Sequence, residues 1–192
     1  QPRVQIALLK LMIPFALAGL FVFFILEVFG EAVANKLAAV FVLYFFNPVG
    51  KEVGIPFAIQ DGPGPFFVPP AIDPALAWTF IVFIDVCTAL FFVWNYDHVL
   101  RVPYIGRFLA WVERRGNAVV VKRKWIRRLA FFGLVIYATL PLEGTGAIGG
   151  SVVGRAIGLP AAKTFLAVAT GSMVRTTITT LVVLGALSAL GL

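Results

Sequence analysis

The sequence contains almost none of the residues that build disulfide frameworks, metal sites or catalytic triads. It has one cysteine, Cys87, and one histidine, His98, in 192 residues. A single cysteine cannot form an internal disulfide, and a single histidine leaves no Cys/His set for a structural zinc site. No Ser/His/Asp constellation or phosphate-binding loop is evident either. The sequence therefore predicts a protein that is not an enzyme and that uses no metal and no cofactor.

Charged residues are scarce as well, at 13% of the chain against 60% hydrophobic residues. With a mean hydropathy of +0.97, the chain is more apolar than a soluble domain of this size can bury. We therefore predict a multi-pass integral membrane protein whose first partners are membrane lipids.

The net charge of +7 does not indicate nucleic-acid binding, because nine of the sixteen Lys and Arg residues lie between residues 101 and 128, in one loop between apolar segments. Such clustering is typical of cytoplasmic loops. It predicts that the N-terminus and the loop 98–128 are cytoplasmic and that the protein lies in the cell membrane, inner or plasma.

Three segments are long and apolar enough to cross a bilayer, which takes about 20 residues: 6–29, 75–96 and 161–190. Two further apolar segments, 33–46 and 129–140, are shorter and run into stretches rich in glycine and proline. Segments of that length do not comfortably cross alone, and proline and glycine redirect the chain.

A consistent topology follows if each short segment enters the membrane and returns on the same face. We predict that residues 33–70 and 126–159 form re-entrant hairpins on opposite faces. The fold class is then all-α, with an N-terminal helix (1–30), a first repeat of hairpin and span (31–97), a basic interfacial loop (98–125) and a second, inverted repeat (126–192), in one transmembrane domain.

The sequence itself repeats weakly. The first half places Glu52 shortly before Gly54, and the second places Glu143 shortly before Gly146. From these points small residues recur every four positions, which is typical of closely packed helix faces: Gly54, Ala58 and Gly62, then Gly146, Gly150, Gly154 and Gly158. Inverted repeats with broken helices place substrate and ion sites near the midplane.

Glu52 and Glu143 are the leading candidates for a proton or Na⁺ site, because ionisable groups inside a bilayer are costly and ask for a reason. They could instead cap the N-termini of the two short helices, or Glu52 could pair with Lys51. We predict that the two carboxylates form one coupled site. The substrate or ion site would also include the residues beside them: Lys51, Gly54, Gly144, Thr145 and Gly146.

Asp85 and Arg175 lie at similar computed depths in the second and third spans, which predicts a buried ion pair, either a structural clasp or a gate. Arg155 in the second hairpin could attract an anionic group or extend its guanidinium towards the membrane surface.

The stretch Pro141-Leu142-Glu143-Gly144-Thr145-Gly146-Ala147, the later Gly158-Leu159-Pro160 and the first-half Gly50-Lys51-Glu52-Val53-Gly54-Ile55-Pro56 resemble the small multidrug export protein family. The layout is also similar, more distantly, to the DedA-type lipid transporters with their paired hairpins. The first resemblance implies export of small lipophilic compounds.

We therefore predict a secondary transporter of small lipophilic or amphipathic compounds, coupled to H⁺ or Na⁺. Two other functions stay open at this point: a membrane scaffold subunit that does not transport, and a DedA-like lipid flippase. A homo-oligomer or a larger membrane complex is compatible with the sequence.

Overall fold

A computed structural model describes residues 2–46, 50–60, 70–100, 124–141 and 146–190. These residues form seven helices and no strand. The helices are α1 (Pro2–Phe46), α2 (Gly50–Ile59), α3 (Pro74–Trp94), α4 (Tyr96–Val99), α5 (Lys124–Thr139), α6 (Ala147–Ala156) and α7 (Ala161–Leu190). Three of them, α1, α3 and α7, are long and apolar enough to cross a membrane. The predicted all-helical, integral-membrane fold class is confirmed.

Helix α1 is two helices joined at Gly30, which has φ 81° and ψ 174°. A positive φ is favourable only for glycine, so Gly30 ends one helix and lets the next begin. We call residues 31–46 the second arm of α1. The break lies where the sequence analysis ended the first span.

Two other helix ends have clear local causes. Asp73 caps α3, because its Oδ1 accepts hydrogen bonds from the backbone N–H groups of Ala75 and Leu76 at 2.8 and 3.2 Å. Helix α6 ends at Ala156, and two residues later Gly158 has a φ of 86°. This conformation allows the N–H of Gly158 to bond the Arg155 carbonyl and that of Leu159 to bond the Gly154 carbonyl.

The chain forms two compact units. The first hairpin unit comprises Ala18–Ile84 and Met173–Leu192, and the second hairpin unit comprises Gln1–Leu17 and Asp85–Ser172. The first hairpin unit contains the second arm of α1, helix α2, the first half of α3 and the last part of α7. The second hairpin unit contains α5, α6, the last half of α3 and the first part of α7. The repeat boundaries at residues 30, 97 and 125 remain a prediction.

In the first hairpin unit, α2 runs back along the second arm of α1. Lys36 Nζ donates to the Gln60 carbonyl at 3.1 Å, while Val40 Cγ1 lies 3.6 Å from where a Cβ on Gly54 would stand. The earlier residue on α1 thus contacts the later residue on α2. That order is the one found in an antiparallel helical hairpin. Its core includes Ile25, Leu37, Val40, Ile55, Ala77 and Ile81.

In the second hairpin unit, α6 packs on α5 in the same way. A Cβ on Gly154 would stand 2.5 Å from Leu134 Cδ2, although 20 residues of continuous helix would separate them by about 30 Å. The chain therefore reverses between the two helices. The core of this unit consists of Ala89, Leu134, Ala147, Leu159, Ala167 and Val168.

Candidate functional site

The first hairpin unit contains a partly buried ion pair between α2 and α7. Arg175 donates from Nε and Nη2 to the same oxygen, Glu52 Oε1, at 3.1 and 2.7 Å. The Arg175 side chain is 8% exposed and that of Glu52 is 27% exposed. Glu52 also lies in the first turn of α2, where the helix dipole favours a negative charge.

The other oxygen of this carboxylate is different. Glu52 Oε2 is buried and has no hydrogen-bond partner among the residues that the structure describes. An ionised carboxylate can accept about four hydrogen bonds, so one side of Glu52 retains its acceptor capacity. Oε2 therefore has lone pairs that no described residue uses.

Residues adjacent to the ion pair extend the contact between α2, α3 and α7. Lys51 Nζ donates to Thr176 Oγ1 at 3.2 Å, and Trp78 Nε1 donates to Thr177 Oγ1 at 3.0 Å. Lys51 is 3% exposed and Thr176 is fully buried. Polar side chains therefore join these helices, by a buried contact at Lys51 and an exposed one at Trp78.

Asp85 makes a hydrogen bond within the second hairpin unit, and its predicted ion pair with Arg175 remains a prediction. Its Oδ2 accepts a hydrogen bond from the Ser172 hydroxyl in the second hairpin unit, and both residues are buried. Arg175, in the first hairpin unit, makes its ion pair with Glu52.

Arg155 and Ser151 form the polar contacts of α6. Arg155 Nη1 donates to the Leu159 carbonyl at 3.2 Å, and its guanidinium lies 5.4 Å from the centre of the Tyr96 ring. Ser151 Oγ donates to the Ala89 carbonyl at 3.4 Å. The second unit thus joins α6 to the C-terminal half of α3 by a neutral contact, whereas the first joins α2 to α7 by an ion pair.

The glycines predicted to line the site have different surroundings. A Cβ on Gly146, the residue before α6, would meet nothing within 4 Å, and on Gly54 it would meet ordinary contacts at 3.6 Å or more. Close packing occurs instead at Gly154 and Gly171. Glu143, Gly144 and Thr145 lie outside the described residues, so the predicted coupling of Glu143 with Glu52 remains a prediction.

The sequence analysis did not single out Lys36, Ser172 or Thr176. Lys36 is fully buried, with its ammonium 4.7 Å from the centre of the Phe57 ring. Ser172, Thr176 and Thr180 recur every four residues on α7, and that spacing could have indicated a polar face. Among the described residues, no group of three His, Cys, Asp or Glu side chains could hold a metal ion.

Residues 51–178 match the family model described as "Putative small multi-drug export protein", which is about two thirds of the chain. The chain belongs to this family. In this member of the small multi-drug export family, the matched segment begins at Lys51 and includes Glu52, Asp85 and Arg175. No curated protein and no solved structure is significantly similar to the chain.

Proposed function

We propose that this protein is a secondary exporter of small lipophilic or amphipathic compounds, coupled to H⁺ or Na⁺ at Glu52. One observation carries the proposal: the partly buried carboxylate of Glu52, in the short helix α2, has one oxygen bound to Arg175 and the other oxygen buried without a partner among the described residues. The family description supports the same class of activity.

An ion pair with a purely structural role would explain the contact of Arg175 with Glu52 Oε1, but not the buried Oε2 that has no partner among the described residues. Each charged residue costs about 2.5–3.5 kcal/mol to insert at the centre of a membrane helix, which pairing with Arg175 offsets. A buried acceptor that makes no hydrogen bond costs about 1–3 kcal/mol more. A scaffold gains nothing from leaving this oxygen without a hydrogen bond, whereas a transporter would use Oε2 to bind its coupling ion.

The two helical hairpins support the re-entrant topology. At 1.5 Å per residue, the 10 residues of α2 extend about 15 Å, half of the hydrocarbon thickness of about 30 Å. A hairpin with such an arm enters and leaves on one face, and its polar contacts with α7 then lie within the membrane. We keep Glu143 as the second candidate carboxylate.

The re-entrant topology predicts that the tip of the first hairpin, near Phe46, lies within the hydrocarbon layer. A nitroxide on Phe46→Cys, at a position that is 84% exposed, is expected to be more accessible to oxygen than to a water-soluble nickel chelate. Labels on Glu31→Cys and Asp73→Cys should show the reverse preference. All three are made in a Cys87→Ser background and measured by electron paramagnetic resonance in liposomes. A label at position 46 as accessible to nickel as those at 31 and 73 would contradict re-entrance.

Transport itself is tested by reconstitution. We expect proteoliposomes to move a fluorescent lipophilic compound when an H⁺ or Na⁺ gradient is applied, and Glu52→Gln to lower the rate at least about tenfold, because the amide carries no charge to exchange. The matched control is Glu31→Gln, an exposed carboxylate that should leave the rate unchanged. Equal rates in protein-free liposomes would favour the scaffold, and movement of fluorescent lipid alone would favour a flippase.

A further inference from the structure

We infer that the coupling ion is a proton, that it binds Glu52 Oε2, and that it competes with Arg175 for the carboxylate. The inference rests on the proposed function, in which Glu52 is the ion site. To that function it adds that the ion is a proton and that the proton weakens the contact between Glu52 and Arg175.

The geometry around the carboxylate favours a proton over Na⁺. Both donating nitrogens of Arg175 bind Oε1, so Oε2 is the oxygen available to an incoming cation. A hard metal cation requires several oxygen ligands. It would also lie within about 5 Å of the guanidinium, where two positive charges repel strongly. A proton needs neither a ligand shell nor additional space.

Among the described residues of this unit, the buried charged groups other than Arg175 are both lysines, while Glu31 of the second arm of α1 is exposed. Lys51 precedes Glu52 on α2 and is bound to Thr176 of α7, and the second arm of α1 contributes Lys36, which is bound to the Gln60 carbonyl. The part of α3 in this unit, after its cap Asp73, has no ionisable side chain up to Ile84. Positive neighbours oppose the binding of any cation, a proton included, so the preference for a proton rests on the ligand shell and the space that a metal ion needs.

Protonation changes the contact between α2 and α7. An O–H bond forms at Oε2, the carboxyl group becomes neutral, and the Arg175–Oε1 ion pair becomes a weaker hydrogen bond to a neutral group. Arg175 then lacks the negative charge that stabilises it in the unit, which favours separation of α2 from α7. Deprotonation restores the ion pair, so each proton taken up and released drives one cycle of this contact.

Infrared difference spectroscopy detects the proton directly. On acidification, wild-type protein in nanodiscs should gain a protonated-carboxyl band that Glu52→Gln lacks and Glu31→Gln retains. The band should be the same in sodium and choline buffers. If Glu52→Gln does not fold, Glu52→Asp serves instead, because it keeps the acid and should shift the band. A band that is unchanged in both Glu52 variants, or that sodium removes, would overturn the inference.

Ion-specific flux separates this inference from the proposed function. A pH gradient at equal sodium on both sides should drive transport, and a sodium gradient at equal pH should not, with the membrane potential clamped in both. Flux driven by sodium alone would overturn the proton and leave the exporter. No flux with either gradient would contradict both.

Discussion

Replacing Gly171 with alanine should unfold much of the second hairpin unit. A Cβ at this position would stand 2.6 Å from both the Ala138 Cβ and the Val135 carbonyl oxygen of α5. Overpacking typically costs about 1–3 kcal/mol, and occasionally more. Because a backbone carbonyl cannot rotate away and Ala138 has no rotamer to change, we expect a loss of at least about 3 kcal/mol in the free energy of unfolding.

Gly54→Ala is the matched control for this substitution. Both glycines are buried in membrane helices, but the new Cβ at Gly54 would meet Val40 and Ile81 at 3.6 and 3.9 Å, which are ordinary contacts. Alanine is favoured over glycine in a helix by about 0.5–1 kcal/mol, so this variant should be neutral or more stable. Equilibrium unfolding with a denaturing detergent measures both. Equal losses at the two positions would show that α5 and α7 are not in close contact.

The two glycines also show how far the sequence could predict this protein. The four-residue spacing of small residues from Gly54 and Gly146 predicted packed helix faces, and Gly54 and Gly154 are buried, whereas a Cβ on Gly146 would meet nothing within 4 Å. The spacing could not distinguish Gly54, whose surroundings accept a methyl group, from Gly154, where Leu134 and Thr164 do not. That difference depends on the distance between helix axes, which the spacing of residues along one helix does not determine.

Hydropathy and helix signals predicted the elements well. The last span, predicted at 161–190, coincides with α7 (Ala161–Leu190), and both short apolar segments became arms of helical hairpins. These features depend on local composition and on the few residues that break helices. The partner of Arg175 could not be found in this way, since the sequence gives its height in the membrane but not the helix that it faces.

The ion pair between Glu52 and Arg175 allows a second test with a large expected effect. Removing one partner of a buried ion pair typically costs about 3–5 kcal/mol, because the remaining charge is left uncompensated. We expect Glu52→Leu and Arg175→Leu each to lose about this much. The double variant should recover a large part of the loss, because neither charge of the pair is then left without its counter-charge.

The two single losses should also be unequal, and their order connects stability to the proton. A carboxylate left without its partner can be neutralised by a proton, whereas a guanidinium left without its partner cannot lose its charge in a protein. Glu52→Leu should therefore be the more destabilising variant.

A double-mutant cycle by detergent unfolding in bicelles gives both the order and the coupling energy. A parallel cycle of Asp85→Leu with Arg175→Leu should give a smaller coupling energy, because Ser172 donates to Asp85 and Glu52 pairs with Arg175. Additive losses in the Glu52 cycle would show that the two side chains do not interact, and the proton site proposed at Oε2 would lose its counter-charge.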